Sequence, residues 1–458
     1  MKRIHLFDLP AVLGLAALSL GPAIVAAEGP ARETFPPWAL GPFVRPANAQ
    51  PVIRPNPDAV FDCPMKKVPV HWEARHTFNP AAVIKDGRIH VLYRAEDDSS
   101  GGGIGRFTSR IGLAVSEDGV DFKRDPLPVL FPAEDGQKNR EWPGGCEDPR
   151  LVEGPDGTFY MLYTQYARPK IRLGLATSKD LRTWTKHGSP FSGTRYEDNV
   201  GVQYKSATIV QEVKDGRPVA VKINGKYWMY FGESSVNLAT SEDLIHWRPV
   251  EDKGGHPVTV MRPRHDCFDS GGLTEVGPLA LLTSHGIVLF YNGKHTGAGP
   301  GKEIGLAPRA YAGGQALFDA GDPSRLIERL ALPFIHPELP WEKTGQYASG
   351  TTFIEGLVLF RGRWFLYYGC ADTFVGVAIC DPAPDRPDKA VQGSVKPDPK
   401  EATLLQRRIP VAQTAQLPAS SPGPCCPAGG PRTAPREGGP NRSRRAVHGD
   451  TVVILPAT

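Results

Sequence analysis

From Thr77 onwards the chain repeats one local pattern five times: a glycine turn, then a short aromatic or β-branched run carrying tyrosine. The copies are Asp86-Gly87 before 89–93, Asp156-Gly157 before 159–163, Asn224-Gly225 before 227–230, His285-Gly286 before 287–291, and Arg361-Gly362 before 364–368. Asp-Gly and Asn-Gly between apolar runs are hairpin signals, because both residues accept the positive φ that a two-residue turn demands. A second theme follows the first three copies: Ile111-Gly112-Leu113-Ala114 leading to Ser116-Glu117-Asp118, Leu173-Gly174-Leu175-Ala176 leading to Ser178-Lys179-Asp180, and Leu238-Ala239 leading to Ser241-Glu242-Asp243. Each ends on an aromatic residue, Phe122, Trp184 or Trp247, and weaker echoes stand at 315–319 and 375–379. Five units of inner hairpin plus outer strand pair, recurring about every 60–75 residues, predict an all-β five-bladed propeller. A β-sandwich holds as many short strands but does not ask for this repetition. Long stretches of helical period are absent.

The propeller is expected over 77–385. Before it, 28–76 reads as a proline-rich arm that wraps the outside of the domain, with Trp38 as an anchor. Residues 1–27 read as a secretory signal peptide: Lys2 and Arg3, an apolar run from Leu9 to Val25 broken by Pro10, Gly14, Gly21 and Pro22, then small residues before Glu28. The expected location is therefore secreted or periplasmic, with no stable membrane insertion once the signal is cleaved. Residues 386–458 are rich in Pro, Gly, Ser and Arg with few large apolar groups, and read as a disordered tail. A formal charge of +4 on 458 residues gives no reason to expect nucleic acid as a partner. The seven cysteines form no CxxC pair and lie beside no histidine at zinc spacing, so neither a metal site nor a cofactor is expected. Their pairing is not legible, nor is the oligomeric state.

A propeller gathers the first strand of each blade around a central channel, so polar residues at those strand ends converge. Gly145-Cys146-Glu147-Asp148-Pro149-Arg150 is the densest such stretch, and Pro149 is expected to push Asp148 towards extended geometry. Asn79 precedes blade one and Arg94 ends its apolar strand. Lys205 opens blade three and Glu233 closes its tyrosine strand. Asp269 and Glu275 open blade four, and Asp372 closes blade five.

These stretches, with Phe78-Asn79-Pro80-Ala81, Tyr93-Arg94-Ala95, Ser109-Arg110-Ile111-Gly112-Leu113-Ala114 and Thr274-Glu275-Val276-Gly277-Pro278, resemble glycoside hydrolase family 130, the β-mannoside phosphorylases and β-mannosidases, over roughly residues 35–385. The resemblance implies an exo-acting, anomer-inverting enzyme with its site in the propeller channel. It makes Asp148 the general acid, acting in the phosphorylases through a sugar hydroxyl. It gives Asn79, Arg94 and Asp372 to the terminal mannose, with Arg110 and Glu147 close by; Arg150, Lys205 and Asp269 are further substrate-binding candidates from their places at the strand ends. A phosphorylase needs cations and histidine for an anionic nucleophile, whereas a hydrolase needs a carboxylate to take a proton from water. Here 230–233 read Tyr-Phe-Gly-Glu where phosphorylases tend to show His-Arg, and 291–293 read Tyr-Asn-Gly where they tend to show Tyr-His-Gly. Glu233 and Glu275 resemble the glutamate pair of the hydrolytic β-1,2-mannosidase branch. The leading expectation is an exported inverting exo-β-mannosidase acting on short mannosides, a β-1,2 linkage among the candidates, with Asp148 as acid and Glu233 and Glu275 activating water. A mannoside phosphorylase and a non-catalytic sugar-binding propeller are the alternatives.

Overall fold

A computed structural model describes residues 35–98, 102–198, 204–297 and 300–382. The expected signal peptide and C-terminal tail lie outside the described residues. Within them the chain is almost entirely strand, and its three helices, the longest run of each being four residues, are single turns.

Blade one is the antiparallel meander His76–Lys85, Arg88–Glu96, Ser109–Ser116 and Lys123–Arg124. Blade two repeats it as Gly145–Glu153, Phe159–Tyr166, Ile171–Ser178 and Thr185–Gly188. Blade three uses Ala207–Lys214, Lys226–Phe231, Val236–Ser241 and Trp247–Pro249, and blade four Thr274–Thr283, Gly286–Lys294, Tyr311–Phe318 and Leu326–Arg329. Blade five has Thr352–Phe360, Arg363–Cys370 and Phe374–Cys380. The innermost strand of each blade packs against that of the next, and Thr352–Phe360 packs against His76–Lys85. The architecture is the expected five-bladed propeller.

Two-residue turns carry the pairs the hairpin rule asks for. Asp86 and Gly87 sit at φ 51° and 69°, Asn224 and Gly225 at 52° and 81°, and Arg361 and Gly362 at 50° and 76°. Asp156-Gly157 instead lies within a longer loop between Glu153 and Phe159. At the outer edges, Ser116 accepts a hydrogen bond from the Gly119 amide at 2.8 Å while Asp118 accepts from Val120 and Asp121, both at 2.9 Å. Ser178-Asp180 and Ser241-Asp243 repeat this turn, which accounts for the second sequence theme.

The repeated tyrosine and glycine answer one packing problem. Tyr93 is paired across the sheet with Gly112, and a Cβ on Gly112 would stand 2.5 Å from the tyrosine Cζ. The bare backbone lets the ring lie across the third strand and reach Glu73, whose carboxylate takes the Tyr93 hydroxyl at 2.7 Å and Arg124 of the outer strand at 3.1 Å. Blade two builds the same strut from Tyr163, Gly174, Glu141 and Lys186, and blade four from Tyr291, Gly314, Asp269 and Arg329. Blade five uses Tyr368, Gly376 and Glu342. In blade three Leu238 stands opposite Tyr230, and that hydroxyl goes to the Pro323 carbonyl instead.

The cation of the blade-five strut, Arg45, comes from the N-terminal arm and lies 2.7 Å from Glu342. The arm does more than wrap the outside. Val44 exchanges two backbone hydrogen bonds of 2.8 Å with Ile379, and Val52 and Ile53 pair with Val375, so the arm supplies the outer edge that blade five lacks. Trp38, expected as an anchor, is buried with Leu40 and Phe43 between blades four and five, and its indole donates to Glu328 at 2.7 Å.

Candidate active site

Four of the five innermost strands break register near the same end: at Phe78/Pro80, Glu147/Arg150, Val276/Ala280 and Ile354/Gly356. A bulge inserts one unpaired residue and re-aims its side chain. The inserted residues are Asn79 in blade one, Asp148 in blade two and Glu355 in blade five. Asn79 and Asp148 both adopt φ 47°. The extended geometry expected of Asp148 is therefore not what forms: the bulge outweighs the preference that Pro149 imposes, and Asp tolerates the left-handed region better than most residues.

Side-chain bonds hold that conformation. One Asp148 oxygen accepts from Asn79 Nδ2 at 2.9 Å and Arg94 Nη1 at 3.1 Å. The other lies 3.7 Å from Lys205 Nζ, which is also 3.8 Å from Glu233 and 3.7 Å from Glu275. Carboxylates from blades two, three and four thus meet on one buried ammonium. The facing oxygens of Asp148 and Glu233 can be no more than about 7.5 Å apart, since both lie within 3.8 Å of one Lys205 nitrogen. Glu275 further accepts from Ser206 and, at 3.3 Å, from Arg150. Arg94 is shared among Asp148, Glu96 at 2.6 Å and Glu147 at 2.9 Å, with its guanidinium 4.6 Å above the Phe78 ring.

Carboxyls outnumber cations here, and protons make up the difference. Burial raises Glu147 to about 7 against the pull of Arg94, with Asp148 and Glu96 adding to the rise. Glu233 is raised to about 7, by burial first and then by Glu275 and Asp148, Lys205 opposing. Burial, with Asp148 and Glu96, takes Asp372 to about 8 despite Arg94. Asp148 goes the other way: burial alone would raise it, but Arg94, then Lys205 and Arg150, hold it well below the ordinary carboxylate range. Buried oxygens of Asn79, Asp148 and Asp372 have no hydrogen-bond partner among the described residues, the condition of groups waiting for sugar hydroxyls.

Asn79, Arg94, Glu147, Asp148, Arg150, Lys205, Glu233 and Glu275 form one contiguous network, and Asp372 is near enough to feel the charges of Arg94 and Asp148. Two expected members are elsewhere. Asp269 is the blade-four strut acid, its carboxylate taken by Arg264 at 3.0 Å, Tyr291 at 2.9 Å and Arg329. Arg110 bonds Asp97 at 3.0 Å and the Thr108 carbonyl at 3.2 Å. Successive strand residues point to opposite faces, and Ser109 takes the site face, donating to Glu147 at 2.9 Å. The sequence reading missed Ser206 and Glu355. Aligning Asn79-Pro80, Asp148-Pro149, Gly277-Pro278 and Glu355-Gly356 as one repeat position would have found the second. Among the described residues no group of three or more His, Cys, Asp or Glu is arranged to hold a metal ion.

A family model described as β-1,4-mannooligosaccharide phosphorylase matches residues 44–382. The 1,2-β-oligomannan phosphorylase of Thermoanaerobacter sp. (strain X514) is 32% identical over 321 residues, covering 69% of this chain and 94% of the relative. A glycosyl hydrolase from Bacteroides ovatus of known structure is 51% identical with a TM-score of 0.73, covering 77% of this chain and 97% of that one. A structure reported for family members that are glycoside hydrolases targeting β-1,2 mannosidic linkages in Candida mannan is 50% identical, also at a TM-score of 0.73, covering 76% and 96%.

Proposed function

The chain belongs to glycoside hydrolase family 130 and is a mannoside-active enzyme, and from that premise we propose that it hydrolyses short β-mannosides, β-1,2-linked ones foremost, rather than cleaving them with phosphate. The observation that carries this reading is the crowding of Asp148, Glu233 and Glu275 onto Lys205. Lys205, Arg94 and Arg150 are each already shared between two or more carboxyls, so an incoming phosphate finds excess negative charge and no uncommitted cation among them. Water suffers no such repulsion. The higher identity to the glycosidase structures than to the phosphorylase supports the same choice.

In this reading Asn79, Arg94 and Asp372 bind the terminal mannose and orient its anomeric carbon between the two sides of the site. Glu233, backed by Glu275 and Lys205, takes a proton from water as the water attacks, and the leaving oxygen is protonated from the Asp148 side. Arg94 and Lys205 hold Asp148 as an anion in the empty site, so the proton it delivers to the leaving oxygen must first move to it from a neighbouring protonated acid, for which Glu147 and Asp372 are the candidates, and that acid regains it from solvent after turnover. The reading includes export directed by residues 1–27.

The test is product analysis on β-1,2- and β-1,4-mannobiose with and without phosphate. Free mannose, formed first as the α anomer at a rate indifferent to phosphate, is the expected result. Mannose 1-phosphate as the main product overturns the hydrolase reading.

A further inference from the structure

Glu355 pairs with neither Lys205 nor Arg94; its ion pair is with Arg150. It occupies the blade-five bulge, the position that Asp148 holds in blade two and Asn79 in blade one. Its side chain is fully buried, and one oxygen lies 2.9 Å from Arg150 Nη2. That same nitrogen is 3.3 Å from Glu275 and 3.1 Å from the Val276 carbonyl, while Nη1 donates to the Asp148 carbonyl at 3.0 Å. No hydrogen-bond donor with good geometry reaches either Glu355 oxygen among the described residues. As a stabilising device this is poor, since a buried acid with one cation is commonly no better than an apolar side chain of the same size. Its value lies in what it does to Arg150.

We propose that Glu355 is a positioning residue of the reaction: by holding one side of Arg150 it keeps the guanidinium divided between two carboxyls, so that Glu275 remains free to support proton transfer from water. Without that acceptor, Arg150 can close on Glu275 as a two-toothed pair, the strongest geometry available to a guanidinium and a carboxylate. Glu275 would then be neutralised in place, and Glu233 would lose the neighbouring negative charge that makes it basic. Burial raises Glu355 itself well above the ordinary range, so what it offers Arg150 is a close polar contact more than a second full charge. An amide can do the same.

The inference rests on the assignment of Glu233 and Glu275 as the water-activating pair. The titratable groups facing that pair are Lys205, Arg150, Asp148, Lys294, Tyr311 and Glu355 itself, with Ser206 as a neutral donor. The experiment compares Glu355→Met with Glu355→Gln in the full chain, reading kcat, KM and the acid limb of the kcat–pH profile, with Tm as a check on folding. For Glu355→Met, kcat is expected to fall at least tenfold and KM to stay within about twofold, because the mannose contacts are untouched. The acid limb should move to lower pH by about one unit as Glu233 loses its anionic neighbour. Glu355→Gln should restore kcat to within about threefold and return the limb. The inference is overturned by a Met variant with wild-type kcat, by a loss of rate with an unmoved limb, or by a Gln variant as impaired as Met. The product of the wild-type reaction tests the hydrolase reading separately, because it is read without any Glu355 variant.

Discussion

Replacing Lys205 by methionine keeps the length of the side chain and removes the charge on which three carboxylates meet. At an effective dielectric of 20, a unit charge pair about 4 Å apart is worth ~4 kcal/mol, or ~3 pKa units if one partner bore it all. Lys205 stands at 3.7, 3.8 and 3.7 Å from Asp148, Glu233 and Glu275, so each carboxyl loses an attraction of that order, and because protonation of one relieves the others the shift at any one is trimmed to about one to two units. Glu233, already raised to about 7, would hold its proton into more alkaline solution. A base must be ionised to work, so the acid limb of kcat/KM should move up by about one to two units. At pH 6 the variant should be roughly ten- to a hundredfold slower than the wild type, with most of the difference recovered near pH 9. The assay is initial-rate mannose release from mannobiose between pH 5 and 9.5. A uniform loss at every pH would mean that Lys205 binds the sugar and does not set the protonation of the pair. An elevated KM for phosphate with an unmoved limb would place it in a phosphorylase.

Asp148→Asn should abolish most turnover of mannobiose while sparing an aryl mannoside with a good leaving group, and Glu233→Gln and Glu275→Gln should each cost about a hundredfold or more on both substrates, measured as kcat. Stability should fall as pH rises from 6.5 to 8. Glu147, Glu233 and Asp372 are raised to about 7, 7 and 8, so the native state holds protons there that the unfolded chain has released. Histidines held low by burial, such as His76 at about 4, act oppositely but only below 6.5, and Asp372→Asn should flatten the slope of Tm against pH. Arg45→Met strips the cation from the fully buried Glu342, which keeps Tyr368 and the 338 and 339 amides as donors; a cost of about 3 kcal/mol, read as a Tm lower by several degrees and partly regained in Arg45→Met with Glu342→Gln, is expected.

Much of the fold is legible because each blade solves the same local problem with the same residues. Asp-Gly and Asn-Gly turns, Ser-x-Asp corners and the Tyr–Gly pairs all act within a few residues of one another in sequence or across a single ladder. Asp269 was misplaced because its role depends on Tyr291 and Arg329, the latter 60 residues away, and nothing local separates a strut acid from a pocket acid. Arg110 was misplaced by one residue of alternation, since Ser109 and Arg110 face opposite sides of the same strand. Glu355 escaped notice because its partner Arg150 lies three blades away in sequence, although the two are 2.9 Å apart. The arm was read without strands, yet it holds an antiparallel hairpin of Asn56–Cys63 and Val68–Glu73, and single bridges at Val44 and Ile53 recruit backbone atoms, which proline-rich sequence does not advertise.

The pairing of Val44 with Ile379 and of Ile53 with Val375 joins the first part of the described chain to the last. The backbone of Val44, Val52 and Ile53 therefore has no strand partner until the last described strand has been synthesised. Trp38, Leu40 and Phe43 wait for blade four and the segment after it, where Glu328, Gln315 and Phe334 receive them, and every blade is built on an unclosed circle. Contacts this distant in sequence make folding slow and leave edges exposed while it waits. A chain cut short before residue 374 would keep four complete blades and still be unable to finish, so completion of the fold reports that the whole catalytic ring has been delivered.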